Sequence, residues 1–386
     1  MQTVHDGSIR SSWLDRTLLP GFAFKAVIIG GGYATGRELA EFFGPSGPLG
    51  GLMGMTVAMV IFSVVGVLTF LFARVFAARD YRTFFMALLG PFWRLLELTL
   101  LALSVVTLSV FSAAAGTIFS TTFGLPQILG QGALFIGILG FVAFGNEAVE
   151  RLFKVVTILL YGVYATFLCL SIWKFGDLIW AGLLRPRPIT GWITSGFAYS
   201  GYNVVGLLVV LPVTRHFSGR RDAVTAGLLC GPLAIAPAMV FFLCMAALPN
   251  LGAIALPSDA LLDKLHIPAF RYLFQIMIFA ALLESGTGSV HTINERFSKV
   301  AAAHNRAFGP ASRTGVAALM LAFTVLVAAR FGLVALIASG YRYLSYVCLG
   351  LYVLPLCTVG VVRMALRGAF TKTEAGPGLS RTGGGV

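Results

Sequence analysis

Residues 30–38 read Gly30-Gly31-Gly32-Tyr33-Ala34-Thr35-Gly36-Arg37-Glu38, placing four glycines within seven residues in the middle of an apolar run over 20–43. Each glycine weakens a helix by about 1 kcal/mol relative to alanine, so the run predicts a helix that opens at its centre. Opening frees backbone groups: amides at the start of a half-helix attract an anion, and carbonyls at the end of one coordinate a cation.

The rest of the chain consists of similar apolar runs without such a centre. Of its 386 residues 58% are hydrophobic and only 11% charged, with a mean hydropathy of +0.88, which excludes an ordinary soluble domain. At about 20 apolar residues per crossing, the length accommodates about ten helices. Apolar runs and polar punctuation place the spans at 20–43, 49–75, 92–119, 127–144, 152–174, 191–214, 222–248, 269–299, 312–329 and 333–364. The stretch 249–268 carries Pro249, Pro257, Asp259, Asp263 and Pro268, and is expected to be a long connecting loop with a short surface helix. The first 19 residues are polar and lack the pattern of a cleaved signal, and the segment after Gly368 is expected to be disordered.

Lys and Arg fix the expected orientation. With ten alternating spans, 20 of the 28 basic residues fall on the side of both tails and six on the other, while Arg37 and Arg342 lie inside spans. The positive-inside rule then puts both termini in the cytoplasm, in a multi-pass membrane protein. The formal charge of +13 is spread through loops instead of forming one stripe, so nucleic acid is not an expected partner. Cys169, Cys230, Cys244, Cys348 and Cys357 all sit in apolar runs without CxxC or Cys/His spacing, so no metal site or cofactor is expected.

Span six repeats the anomaly of span one. Ser195-Gly196-Phe197-Ala198-Tyr199-Ser200-Gly201-Tyr202-Asn203 puts an amide and several hydroxyls into an apolar run, at the corresponding place of a second set of five spans. Inverted-repeat transporters place substrate between two such interrupted helices near the membrane midplane, whereas close packing through small residues is the structural alternative. The expected organisation is a tail over 1–19, a five-helix repeat over 20–174, a connector over 175–190, an inverted repeat over 191–364 and a tail over 365–386.

Three runs carry a resemblance: GGGYATGRELAEFF at 30–43, AYSGYN at 198–203 and ESGTGSVHTINER at 284–296. Together they resemble the YkvI family, bacterial membrane proteins related to the amino acid, polyamine and organocation transporters. In its first-span motif GxGFASGxE, Gly30, Gly32, Gly36 and Glu38 match, and Tyr33 and Thr35 are close replacements. The resemblance implies an all-α membrane protein with a LeuT-type 5+5 inverted repeat and broken helices one and six. It also makes an amino acid or similar small organic solute the expected substrate class.

Charges inside spans need partners or water, because a central one costs about 2.5–3.5 kcal/mol on insertion scales. Arg37 and Glu41 are spaced i,i+4 as a local pair, Glu38 points about 100° away toward a pathway or a cap, and Arg342 needs an anion. In span eight Glu284, Thr287 and His291 share one face and Ser285 and Ser289 a neighbouring one. The expected solute site therefore comprises residues 30–36 with Glu38, then Tyr199, Ser200, Gly201, Tyr202 and Asn203, with Glu284 alongside. A sodium site in this fold would combine backbone near the break, at Ile29 and Gly32, with Ser285, Thr287 and Ser289. Proton coupling would instead use Glu38, Glu284 or His291.

These features imply a carrier of a small organic solute using alternating access, coupled to Na+ or H+, with Arg37, Glu41 and Arg342 as a gate or ion pair. An exchanger, a uniporter, a channel and a membrane solute sensor reuse the same features. An intramembrane enzyme lacks support, since HExxH, GxSxG and Cys/His clusters are missing from the sequence.

Overall fold

The computed structural model describes residues 13–368 except 145, 185–188, 305 and 307. Most of both expected tails and residues 185–188 of the expected connector lie outside the described residues. Span one is built in three pieces, α2 (Leu19–Ile28), α3 (Gly31–Ala34) and α4 (Arg37–Phe43), preceded by a short α1 (Trp13–Thr17). Span two is α5 (Gly47–Val75), and an amphipathic α6 (Tyr81–Leu89) leads into span three, α7 (Trp93–Phe123). Spans four and five are α8 (Gln127–Phe144) and α9 (Asn146–Leu184), and span six is α10 (Trp192–Asn203) followed by α11 (Gly206–Val210). Span seven is α12 (Arg220–Met245), joined through α13 (Pro257–Leu265) to span eight, α14 (Pro268–Ala303). Span nine lies in α15 (Pro310–Ala335), and span ten continues through α16 (Arg342–Cys348) to α17 (Val361–Leu366).

By length and hydropathy, seven uninterrupted segments among the described residues qualify as crossings. Ten spans become seven segments because Arg37–Val75 joins half of span one to span two, and Pro310–Leu366 contains spans nine and ten. The first half of span one, Leu19–Ile28, and span four, Gln127–Ala143, are apolar but shorter. Gly332 (φ 72°, ψ 169°) separates spans nine and ten inside the long segment, close to the boundary that the sequence predicts. Span five ends at Leu184, ten residues past the expected 174, because Ile179 and the residues around it continue the apolar pattern. Helix α6 is not among the expected elements; it lays Phe84, Phe85 and Leu88 against the core and leaves Met86 outward.

Helices in lipid gain little from burying apolar surface against each other, so close van der Waals approach takes over. Spans two, six and seven use it: a Cβ on Gly231 would sit 2.1 Å from the Met59 carbonyl oxygen, and one on Gly227 2.4 Å from the Val67 nitrogen. Gly196 also approaches span two, with the Gly54 carbonyl oxygen 2.7 Å from its notional Cβ. Spans one, two, six and seven thus form one group, while α7, α8, α14 and α15 pack together as a second. Residues such as Leu98, Trp173 and Leu319 stay exposed at 65%, 83% and 76%, as a lipid-facing surface requires.

Candidate functional site

Span one leaves helical geometry at Ile29 (ψ 58°) and Gly30 (φ −90°, ψ −171°), re-forms one turn beginning at Gly31 and Gly32, and bends again at Gly36 (φ 76°). Gly36 supplies a left-handed residue that a side chain would strain. The turn is held by Ala34 N–H to the Gly30 carbonyl (3.2 Å) and Gly36 N–H to the Tyr33 carbonyl (2.9 Å). Thr35 is buried, and its hydroxyl oxygen accepts from the Arg37 N–H at 3.2 Å.

Span six departs from expectation in position and in kind. Residues 195–203 are helical, and the interruption falls at Val204 and Val205, where Leu207 and Leu208 bond three residues back instead of four. Both valines keep right-handed helical dihedrals, so this helix tightens where span one opens. One glycine per turn is too few to open a helix that packs tightly on both sides. Ser200 donates to the Gly196 carbonyl (2.7 Å) and Asn203 to the Tyr199 carbonyl (2.9 Å), so both side chains serve their own helix. Gly201 lies against span ten, its notional Cβ 2.5 Å from the Ser345 carbonyl oxygen.

Glu38 joins the two interrupted spans. It is 6% exposed, and the Tyr202 hydroxyl donates to its Oε2 at 2.6 Å. The Tyr202 ring stacks on Tyr341 at 4.4 Å and 11° and meets Phe42 at 5.9 Å, while Tyr199 packs on Phe42, Phe43 and Tyr202. A π-helical turn at Leu336–Tyr341 in span ten ends on Tyr341, which the sequence reading misses although it adjoins Arg342. Tyr33 points elsewhere, toward Tyr164 and Phe241 of spans five and seven.

The charges that follow the break form one chain. Arg37 is 1% exposed, pairs with Glu41 through its Nη2, and gives its Nη1 to the carbonyls of Gly252 (2.8 Å) and Ile254 (2.9 Å). Arg342 approaches the other Glu41 oxygen at 3.6 Å. The three residues expected as a gate or ion pair are therefore together, and Glu41 is the anion that Arg342 needs.

Span eight divides its polar residues between two directions. Ser285 faces the break, its hydroxyl 3.0 Å from the position a Gly30 Cβ would take, and Ser289 donates to the Ser285 carbonyl at 2.9 Å one turn on. At 100° per residue Thr287 is about 200° around the helix from Ser285. It is fully buried, with a hydroxyl that has no hydrogen-bond partner among the described residues. Glu284 and His291 share that far side and are half-buried. Ser285 thus sits against Gly30 at the break, with Ser289 one turn along the same face, and Thr287 turns away from both.

The apolar helices and the opened first span define an integral membrane protein of the LeuT-type fold. Among solved structures, the chain is similar to a Na+-coupled sialic acid symporter in a substrate-bound outward-open state, with a TM-score of 0.61 at 14% identity over 91% of this chain and 80% of that one. It is also similar to a manganese transporter from Eremococcus coleocola, with a TM-score of 0.58 at 15% identity over 92% and 81% of the two chains. In sequence it is 22% identical over 350 residues to the membrane protein YkvI of Bacillus subtilis (strain 168), itself uncharacterised, covering 89% of this chain and 96% of that protein. No protein family's sequence model matches the chain.

Proposed function

We propose that this protein is a secondary transporter, not an enzyme, related to the amino acid, polyamine and organocation transporters. It moves a small organic solute, an amino acid or related compound, by alternating access across a bacterial inner membrane, with both termini cytoplasmic. The observation that carries the reading is the buried Glu38–Tyr202 bond, which spans from the opened first helix to the sixth beside the break. A rigid structural pair would not need a helix opened at the cost of several hydrogen bonds next to it. Sodium enters with the solute, held by backbone at the Ile29–Gly30 break and the hydroxyls of Ser285 and Ser289.

Counterflow in proteoliposomes tests the carrier reading: saturable exchange of labelled amino acid against an unlabelled internal pool is expected, stimulated by an inward sodium gradient. Conductance without saturation would make the protein a channel, and binding without flux a sensor. A proton-coupled version draws on one specific observation, the half-buried carboxyl of Glu284 within span eight. It predicts uptake that follows a pH gradient, ignores sodium, and loses its pH response in Glu284→Gln.

A further inference from the structure

Glu38 is a carboxylate without a basic partner in a protein that supplies basic partners to its neighbour. Arg37, one residue away, gives its guanidinium to Glu41 and to two carbonyls of the connection between spans seven and eight, and Arg342 also turns to Glu41. Among the described residues no Lys or Arg pairs with Glu38; its bonded partner is a neutral hydroxyl, that of Tyr202. Around it stand aromatic rings in place of cations. Tyr202 and Tyr341 stack at 4.4 Å, and Tyr199 meets Tyr202 edge-on at 5.9 Å. The Tyr199 hydroxyl is buried and has no hydrogen-bond partner among the described residues.

A buried carboxylate is costly unless a cation or several donors compensate it. An acidic group without a basic partner and a spare hydroxyl therefore select one kind of solute group.

Resting on the carrier reading of this same site, we infer that the transported solute carries a positively charged amine, which binds Glu38 in place of the Tyr202 hydroxyl among the rings of Tyr199, Tyr202 and Tyr341. The carboxylate of an amino acid is then secondary to recognition, and an amine without a carboxylate is a ligand. A solute that carries only negative charge is rejected, because it would bring a second anion beside Glu38 with no basic side chain to offset either.

The test uses matched sets built on the alanine, leucine and phenylalanine skeletons: the amino acid, its decarboxylated amine and its deaminated acid. With purified full-length protein, at least one amino acid and its amine raise the unfolding temperature, and the matching acid does not. Glu38→Gln weakens amine binding by about tenfold or more, as loss of a charged hydrogen-bond partner in a desolvated site implies. Tyr202→Phe keeps the carboxylate and the ring, so amine binding persists. If Glu38→Gln does not fold, Glu38→Asp carries the test, since withdrawing the carboxylate by one methylene also weakens the amines.

The inference is overturned if acids protect as well as amines, if none of the amines protects, or if both Glu38 variants bind amines as tightly as the parent. Counterflow separates the two readings. Amine-dependent protection without flux removes the carrier and leaves the amine site, whereas saturable counterflow of the acids alone removes the amine site and leaves the carrier.

Discussion

The backbone N–H of Ser258 donates to the carbonyl oxygen of Thr35 at 3.1 Å, tying the connection between spans seven and eight to the break in span one. Two more bonds follow the same route, from Arg37 to the carbonyls of Gly252 and Ile254. The connection is held in turn by Asp259, which receives both Nε and Nη2 of Arg271 at 2.8 Å and the amide of Gln275 at 2.7 Å. Motion of the opened helix and motion of this connecting segment are therefore mechanically linked.

Asp259→Asn should loosen that link. Asp259 is 7% exposed, and a hydrogen bond to a charged group contributes about 1.5–3 kcal/mol, so about 2 kcal/mol of local stability is lost. Hydrogen exchange across 251–265 should speed up, together with exchange at 30–36. Faster exchange in the connecting segment alone would show that the Ser258–Thr35 bond does not couple the two.

Glu41→Gln should be more damaging than Glu38→Gln to the folded state. Arg37 is 1% exposed, and Glu41 is the acidic partner of its guanidinium as well as of Arg342. Removing one member of a buried pair leaves an uncompensated charge and costs about 3–5 kcal/mol. A lower unfolding temperature in detergent is expected, with partial recovery when Arg37 is also replaced by Met. No recovery in the double variant would place the role of Glu41 in its contact with Arg342 instead.

Two glycines of the break should respond differently to alanine. Gly36 has φ 76°, and a Cβ there would meet Phe241 Cζ at 2.8 Å, so Gly36→Ala is strained twice and should reduce folded yield. Gly30 has an extended backbone that alanine accepts, and its Cβ meets only the Ser285 hydroxyl at 3.0 Å. Gly30→Ala should therefore fold and displace Ser285, lowering sodium stimulation per folded molecule. Normal stimulation in Gly30→Ala would separate Ser285 from the coupling site.

The contrast between these helices explains what the sequence made legible. Four glycines in seven residues announce the span-one break locally, and Gly332 marks the boundary between spans nine and ten in the same way. The span-six interruption lies just beyond the polar segment, at two valines whose types carry no signal for it. Arg37 and Glu41 are readable from their spacing, but Arg342 reaches Glu41 across about 300 residues and only folding reveals which anion it meets. The same holds for Ser258, whose contribution is a backbone N–H that every residue but proline possesses. Tyr341 is hidden because an aromatic residue in an apolar run reads as ordinary packing.

Acidification offers a check outside the spans. Asp80 caps α6: its Oδ1 accepts from the Thr83 N–H at 3.0 Å and its Oδ2 from the Thr83 hydroxyl at 2.6 Å. Burial pushes its carboxyl up, but the Thr83 hydroxyl and the backbone N–H groups outweigh burial, so it titrates below its ordinary value. A lowered folded value means that the stabilisation is present above the unfolded value, about 3.9, and is lost as pH falls through the folded one. Asp80→Ala should cost about 1 kcal/mol at neutral pH. The gap in unfolding temperature between parent and variant should close as pH drops from about 5 toward 3; a constant gap would show that the cap does not act through its charge.

Sodium coupling should depend on Ser285 and Ser289 and not on Thr287, although all three are hydroxyl residues within five positions of one helix. A cation stripped of water needs several oxygens at once, and the oxygens must converge from both helices. Ser285 lies against Gly30 at the break, and Ser289 is one turn away on the same face, bonded to the Ser285 carbonyl. Its proton is committed to that carbonyl, but the hydroxyl oxygen keeps lone pairs for a cation. Thr287 is turned about 200° from Ser285, so its oxygen cannot reach the same ion. In proteoliposomes with an imposed sodium gradient, Ser285→Ala with Ser289→Ala should raise the sodium concentration needed for half-maximal uptake, with solute affinity at saturating sodium little changed. Thr287→Val should leave the sodium response intact and, by removing an unsatisfied buried hydroxyl in favour of an isosteric methyl, keep or raise the unfolding temperature. Loss of sodium stimulation in Thr287→Val but not in the serine variant would move the ion to the opposite face of span eight, toward Glu284 and His291.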